Sequence, residues 1–318
     1  MSHVTALAAA RYRVHTTAGW NVADAGLYGA PPIPVVTGVH RHTTVDRALR
    51  LLGMGTACME LVDTDDAGRM IPTALADTLD RLERPAIVIA QVGEVNTGSF
   101  DPLDEISAIA KRAGAWMHVD GAFGIWARVA PSRRHLTAGL EQADSWAFDA
   151  HKWLNVPYDS GVAVVRDREA LGAAMNLSGS YLVASAQRRD ASDWTPDASR
   201  RARGLAIYAV IKALGREGIA ELVERCCGHA RALADGLEAL GLEVINDVDI
   251  NQVLVRTSDD AHTARILGAV QDSGEAWMGG TTWQGRPAIR ISVSSWATSA
   301  ADIERTVDAF AAALRRSL

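Results

Sequence analysis

The chain reads as an α/β protein: a mostly parallel sheet wrapped by helices, followed by a smaller α+β unit. Three observations predict this. Short, continuously apolar, β-branched runs such as AIVIAQVG (86–93) have the texture of strands buried on both faces of a parallel sheet. Up to about residue 199, strand and helix signals alternate, the order that builds βαβ units. Beyond it the order becomes a long helix, then strand, strand, helix, strand, strand, helix, which suits a small α+β domain. A chain of 318 residues accommodates one large domain and one small one. We expect 1–200 to form the large domain and 201–318 a connecting helix and the small domain.

Each element has its own local reason. In HTTVDRALRLLGMG (42–55), Thr43 or Thr44 serves as N-cap, Val45, Ala48, Leu49 and Leu52 fall at helical spacing, and Gly53 closes the helix. The polar turn DTDDAGR leads to the helix IPTALADTLDRL, and AIVIAQVG is the next strand. DPLDEISAIAKRAGA is an amphipathic helix with Asp101 at its start, Pro102 in its first turn and Gly114 at its end. WMHVDGA is a strand that runs into a small-residue turn. SWAFDA and SGVAVVRD are two more, and they bracket HKWLNVPYD. A helical stretch over 203–240, broken near Gly215–Gly218, precedes LEVINDVDINQVLVRTS. A helix over 261–271, the strands EAWMGGTTW and PAIRISVSS, and a helix over 300–316 complete the chain.

Composition excludes several classes. Apolar residues make up 48% and charged residues 22%, which are globular values. A net charge of −6 without a Lys/Arg cluster gives nucleic acid nothing to hold. No apolar run approaches the ~18 residues that would span a bilayer, and MSHVTALAAARYRV has neither a basic region nor a cleavage signature. Three cysteines, with Cys226 and Cys227 adjacent, make no disulfide framework. The expectation is a soluble cytoplasmic protein with no nucleic-acid or membrane partner.

The chemistry centres on DAHKWLNVPYDSG (149–161), which places Lys152 in a turn at a sheet edge. A lysine amine becomes nucleophilic when desolvation or a nearby cation lowers its pKa, and its characteristic covalent product is a Schiff base. The commonest biological carbonyl held this way is pyridoxal phosphate, which needs a carboxylate facing its pyridine nitrogen. Asp120, at the end of the WMHVD strand and followed by Gly121 and Ala122, supplies one, and the small residues let a flat ring lie close. The chain from Asp120 to Lys152 has room for one crossover helix and one strand, so both side chains project from one edge of the sheet.

HVDGAFG, ADSWAFDAHKWLNVPYDSG and DWTPDASRRARG together resemble the group II pyridoxal-phosphate-dependent amino-acid decarboxylases, the family of aromatic-L-amino-acid, histidine and glutamate decarboxylases. The likeness runs on to WMGGTTWQGRPAIRISVSSW. It implies a fold-type-I PLP-dependent transferase-like large domain with a seven-stranded, mostly parallel sheet, and a homodimer with its active site at the subunit interface. It further implies that Lys152 carries pyridoxal 5'-phosphate as a Schiff base, that Asp120 pairs with the pyridinium nitrogen, and that Ala122 contacts the ring. By the same resemblance His42, in HTTVD, stacks over the ring and His151 lies close to the cofactor. Asn96 and Thr97, in GEVNTGSFDP, fall in the cofactor-contacting loop. The activity implied is that of a carboxy-lyase in amino-acid metabolism, with Lys152 and His42 as catalytic residues.

Two departures from the family pattern bear on function. Family members carry a further N-terminal segment with a small-residue phosphate-binding turn before the helix equivalent to HVTALAAARYRV, so that anion site is expected to be absent or half present. Between Tyr181 and Trp194 the chain reads LVASAQRRDASD, without the tyrosine that well-studied members place on a mobile loop. The alternatives left open are a truncated non-catalytic relative or dimerisation partner, and a cofactor enzyme with a deaminating or eliminating outcome. Elsewhere the readings are plainer. His40 and His42 lack a third ligand, so no metal is expected. His118 is read as a core histidine, Cys226 and Cys227 as buried small hydrophobes, and the tryptophans as core and interface anchors. Arg290 either meets a substrate carboxylate or forms a structural ion pair.

Overall fold

The computed structural model describes residues 1–82, 84–176 and 190–316. The helices are α1 (Ser2–Thr17), α2 (Val22–Ala25), α3 (Thr43–Leu51), α4 (Pro72–Leu82), α5 (Leu103–Arg112), α6 (Arg168–Met175), α7 (Arg203–Ala239), α8 (Asp260–Ser273) and α9 (Ala300–Arg316). The large-sheet strands are β1 (Val35–Gly38), β2 (Met59–Val62), β3 (Ile87–Gln91), β4 (Trp116–Asp120), β5 (Ser145–Asp149) and β6 (Gly161–Val165). The C-terminal strands are β7 (Glu243–Val244), β8 (Gln252–Arg256), β9 (Gly279–Trp283) and β10 (Arg286–Ser292).

The large sheet has the order β2-β1-β3-β4-β5-β6, parallel throughout except for the antiparallel β5–β6 pair. The resemblance implies seven strands; the described residues form six. The side-chain alternation of a strand sorts the core into two layers. Ile87 and Ile89 join Val35 and Trp116 against Leu7 of α1 and Val45 and Leu49 of α3. Val88 and Ala90 join Val36, Met117 and Val119 against Leu75 and Leu79 of α4 and Ile106 of α5. Every residue of β3 and β4 is buried, as the apolar runs predict.

The second sheet is antiparallel in the order β7-β8-β10-β9, and α8 and α9 complete the α+β unit. Its core is continuous with the α4/α5 side of the large sheet: Val253, Ile289 and Phe310 belong to the same buried cluster as Val88 and Ile106. The long helix α7 breaks where the sequence places the break, at Gly215, which has φ 62° and ψ −172°.

Three local expectations are corrected. The N-cap of α3 is His42, not a threonine: its ring accepts the Thr44 backbone N–H at 3.3 Å. Pro102 is the N-cap of α5 rather than a first-turn residue, and Asp101 lies before the helix; it is buried, accepting the N–H of Met70 at 2.7 Å and of Gln91, at the end of β3, at 2.6 Å. No crossover α-helix links β4 to β5. The link is three short 3-10 turns, Gly124–Val129, Arg134–Thr137 and Leu140–Gln142, interrupted by Pro131 and by Gly139 at φ 83°. The tyrosine-free stretch after Tyr181 falls largely within 177–189, outside the described residues.

Candidate active site

The carboxyl ends of the parallel strands converge on one edge of the large sheet, where open α/β sheets bind ligands. Strand order reverses direction between β1 and β3, and His42 follows β1. Asp120 closes β4 beside Gln91 of β3 and Ala147 of β5. Asp149 ends β5, and His151 and Lys152 follow in the turn that leads to β6. The fold therefore gathers Lys152, Asp120, Ala122, His151 and His42.

Asp120 is 4% exposed. Burial by itself raises a carboxyl pKa, yet His3 and the N–H of Ala122, 3.1 Å from Oδ1, hold Asp120 well below the usual carboxylate range. The turn behind it admits only small residues: a Cβ on Gly121 would lie 2.9 Å from Ile125, and one on Gly124 would collide with the Val92 backbone. Lys152 is partly exposed, and its Nζ lies 3.1 Å from Asp149 Oδ2 and 5.7 Å from the centre of the Phe123 ring. His151 accepts the Ser160 N–H at 2.9 Å, approaches the same Asp149 oxygen at 3.5 Å and packs on Tyr158 with ring centres 4.0 Å apart.

His42 spends Nδ1 on Thr44, whose hydroxyl is 2.7 Å away, which leaves Nε2 and the ring face for the site. Burial lowers its pKa, and Asp120, Lys152, His3 and Asp149 are the charged neighbours that it senses. The imidazole is thus neutral near pH 7. Asn96 and Thr97 stand differently. The Asn96 amide bonds Glu94 and the Thr281 hydroxyl, and Thr97 Oγ1 donates to the Ala67 carbonyl at 2.8 Å. Their polar atoms brace the loop, Asn96 against Thr281 of β9 and Thr97 against Ala67 in the turn before α4. Arg290 does the same through the Val95 carbonyl at 3.2 Å. Cys226 and Cys227 are buried, and burial pushes the Cys227 thiol up to about 12. Among the described residues no cluster of His, Cys, Asp and Glu is arranged to hold a metal, and no helix is long and apolar enough to cross a membrane.

Sequence reasoning missed two members of the site. Asp149 stands in the quoted motif, but its bridging of His151 and Lys152 depends on how the chain turns after β5. His3, near the start of α1, meets Asp120 Oδ2 at 3.4 Å and His118 Nε2 at 3.0 Å. Only the packing of α1 across β4 brings it there.

An ionised carboxylate at the end of β4, an amine in the turn after β5 and an imidazole that senses both form one clustered site at the carboxyl edge of an α/β sheet, an arrangement that suits a small planar group with a carbonyl and a basic ring nitrogen. The comparisons agree. The family model described as the pyridoxal-dependent decarboxylase conserved domain matches residues 1–257. The chain belongs to that family. It is 32% identical over 247 residues to the acidic amino acid decarboxylase GADL1 of Mus musculus, covering 75% of this chain and 44% of the mouse protein. It is 29% identical over 238 residues to the cysteine sulfinic acid decarboxylase of Mus musculus, covering 72% of this chain and 48% of that one. The chain thus spans about half the length of these curated relatives. Its fold matches the crystal structure of Oryza sativa TDC with PLP and tryptamine at a TM-score of 0.91 and 23% identity, over 99% of this chain and 68% of the other.

Proposed function

We propose that the chain is a pyridoxal 5'-phosphate-dependent amino-acid decarboxylase, a carboxy-lyase, in which Lys152 holds the cofactor and Asp120 faces its ring nitrogen. One observation carries the reading: a buried, ionised Asp120 ends β4, the partly exposed Lys152 amine lies in the turn after the neighbouring strand β5, Ala122 lies between them in sequence, and His42 is close enough to sense both. This donor set fits the cofactor, since it offers one amine for a carbonyl and one permanent negative charge for a basic nitrogen. When bound, the cofactor supplies the electron sink for the bond broken at the amino acid's Cα.

The chain's own residues do the rest. Asp120 holds a proton on the ring nitrogen. Asp149 orients the Lys152 amine and stands between it and His151, so a proton leaving Nζ has an acceptor within reach. His42, neutral and anchored through Nδ1, keeps the ring in place and offers Nε2 for proton movement. Ala122 gives the ring room, and Asn96 and Thr97 support the site as the bracing loop rather than as donors.

The relatives' names make acidic amino acids the first substrates to try. Cytoplasmic location and a homodimer complete the reading, with 1–200 as the cofactor domain and 201–318 as connecting helix and small domain. For the dimer, α7 offers support: Leu205, Tyr208, Ile211 and Leu214 recur every third residue and are 71%, 62%, 44% and 42% exposed. The test is to load the purified chain with pyridoxal phosphate, reduce with borohydride, and locate the modified peptide beside a Lys152→Ala control, then assay carbon dioxide release. Cofactor fixed at Lys152 with release from an acidic amino acid sustains the reading. Cofactor retained by neither protein overturns it in favour of a non-catalytic relative.

A further inference from the structure

Asp120 sits at the end of a buried line of polar groups. Its Oδ2 faces His3 Nε2 at 3.4 Å. His3 Nδ1 is 3.0 Å from His118 Nε2, and His118 Nδ1 is 2.9 Å from Ser145 Oγ. That oxygen accepts the indole N–H of Trp116 at 2.9 Å. Trp116, His118 and Asp120 alternate along β4 and so share one face, Ser145 is the register partner of His118 on β5, and α1 lays His3 across them. His3 is 9% exposed, and His118 and Ser145 are wholly buried.

The proton arrangement in this line is constrained. Burial, and next the neighbouring His3, pushes the His118 pKa down to about 3, so its ring is neutral and carries one N–H. With that hydrogen on Nε2, His118 donates to His3 Nδ1, and the His3 hydrogen must lie on Nε2, facing Asp120. With it on Nδ1, His118 donates to Ser145 and accepts from His3 Nδ1–H; a neutral His3 would then turn a lone pair toward the carboxylate. In that case only a doubly protonated His3 completes the line. Both satisfied arrangements therefore present an N–H of His3 to Asp120.

We infer that His3 is a positioning residue for the cofactor ring: its Nε2–H holds Asp120 ionised and oriented, and His118 with Ser145 fixes the His3 ring in the state that does so. The inference rests on the reading that Asp120 faces the ring nitrogen. The titratable and charged groups around Asp120 are His3 from α1, His118 from its own strand and His42 from the β1–α3 loop, with Lys152 and Asp149 beyond the end of β5. Without His3, the described residues leave Asp120 the Ala122 N–H as its hydrogen-bond donor, with His118 as the other neighbour that opposes the effect of burial on the carboxyl. Its pKa rises, so the acid limb of cofactor retention moves to higher pH.

The experiment titrates the full chain with pyridoxal phosphate and follows the cofactor absorbance band and its dissociation constant across pH. The proteins are the parent, His3→Leu, His3→Gln, Ser145→Ala and Asp120→Asn. His3→Leu is expected to weaken cofactor binding about tenfold at neutral pH, the weight of one charge-assisted hydrogen bond, and to move the acid limb upward. His3→Gln, which keeps an N–H near the Nε2 position, restores most of both. Ser145→Ala shifts the acid limb the same way by less, and carries the test should the His3 variants not fold. Parent-like affinity and pH profile in His3→Leu, or in Ser145→Ala where it stands in, beside a defective Asp120→Asn overturns the positioning role alone. A parent-like Asp120→Asn overturns the ring-nitrogen reading and this inference with it.

Discussion

Lys152 and Asp149 meet at 3.1 Å across a single turn, and the same carboxylate oxygen reaches His151 at 3.5 Å. The strand that delivers the lysine therefore also delivers the group that steers it. An unguided lysine amine sweeps a wide arc, whereas productive attack needs near-contact and alignment. Asp149→Asn keeps the size and one acceptor oxygen but removes the charge. The rate at which borohydride-reducible cofactor attaches to Lys152 is expected to fall about tenfold to a hundredfold, with circular dichroism unchanged; stopped-flow absorbance measures it.

Asp101 gives the fold a pH signature separate from the site. Burial raises its pKa from 3.8 to about 6, although two backbone N–H groups oppose the rise. Because the folded pKa lies above the unfolded one, the folded state binds more protons in between. Stability contributed by this group is thus greatest below about pH 4 and declines as pH rises through about 6. Asp101→Asn removes that dependence, and turns an NH2 toward a backbone N–H at a cost of about 1–3 kcal/mol. Thermal melts from pH 4 to pH 7 are expected to show a lower midpoint in the variant, and a flatter trend.

Much of this was legible in the sequence, for identifiable reasons. AIVIAQVG reads as a buried parallel strand and WMHVDGA as a strand running into a small-residue turn, which puts Asp120 at a strand end, where β4 has it. The turn residues after SWAFDA placed Lys152 at the same edge. Hidden were features that depend on distant segments meeting. His3 lies 115 residues from His118, and a histidine on an alanine-rich helix carries no local sign of its partner. His42 looked like the residue before a threonine cap, yet its own ring is the cap. The β4–β5 link looked long enough for a helix, but Pro131 and Gly139 divide it into short pieces that form 3-10 turns.

Gly124 tests the tightness of the turn behind Asp120. A methyl group there would strike the Val92 carbonyl and the Gly93 nitrogen, backbone atoms that cannot rotate away. Gly124→Ala is expected to destabilise the protein by about 1–3 kcal/mol through overpacking, and to loosen cofactor binding by displacing Asp120. Gly228→Ala is the contrasting case. That glycine is within α7, and nothing lies within 4 Å of the Cβ it would gain. Replacing a helical glycine in open space is expected to stabilise by about 0.5–1 kcal/mol. Denaturant titration distinguishes the two signs.

The apolar stripe on α7 tests the proposed dimer. Leu205, Tyr208, Ile211 and Leu214 lie on the part of the helix before Gly215, and a third-residue spacing turns each about 60° from the last, so neighbouring pairs lie side by side in a band that winds round the helix. Past the break the pattern reverses, and Ile219, Leu222, Val223 and Cys226 are buried in the protein's own core. The first half therefore offers to another surface what the second half buries internally. Leu205 and Tyr208 changed together to glutamate place two charges in that stripe, and a desolvated unpaired charge at an interface costs several kcal/mol. Light scattering after size exclusion is expected to show a dimer for the parent and a monomer for the double variant, with the far-ultraviolet spectrum retained. A dimer of unchanged stability in the double variant would assign the interface elsewhere on the molecule.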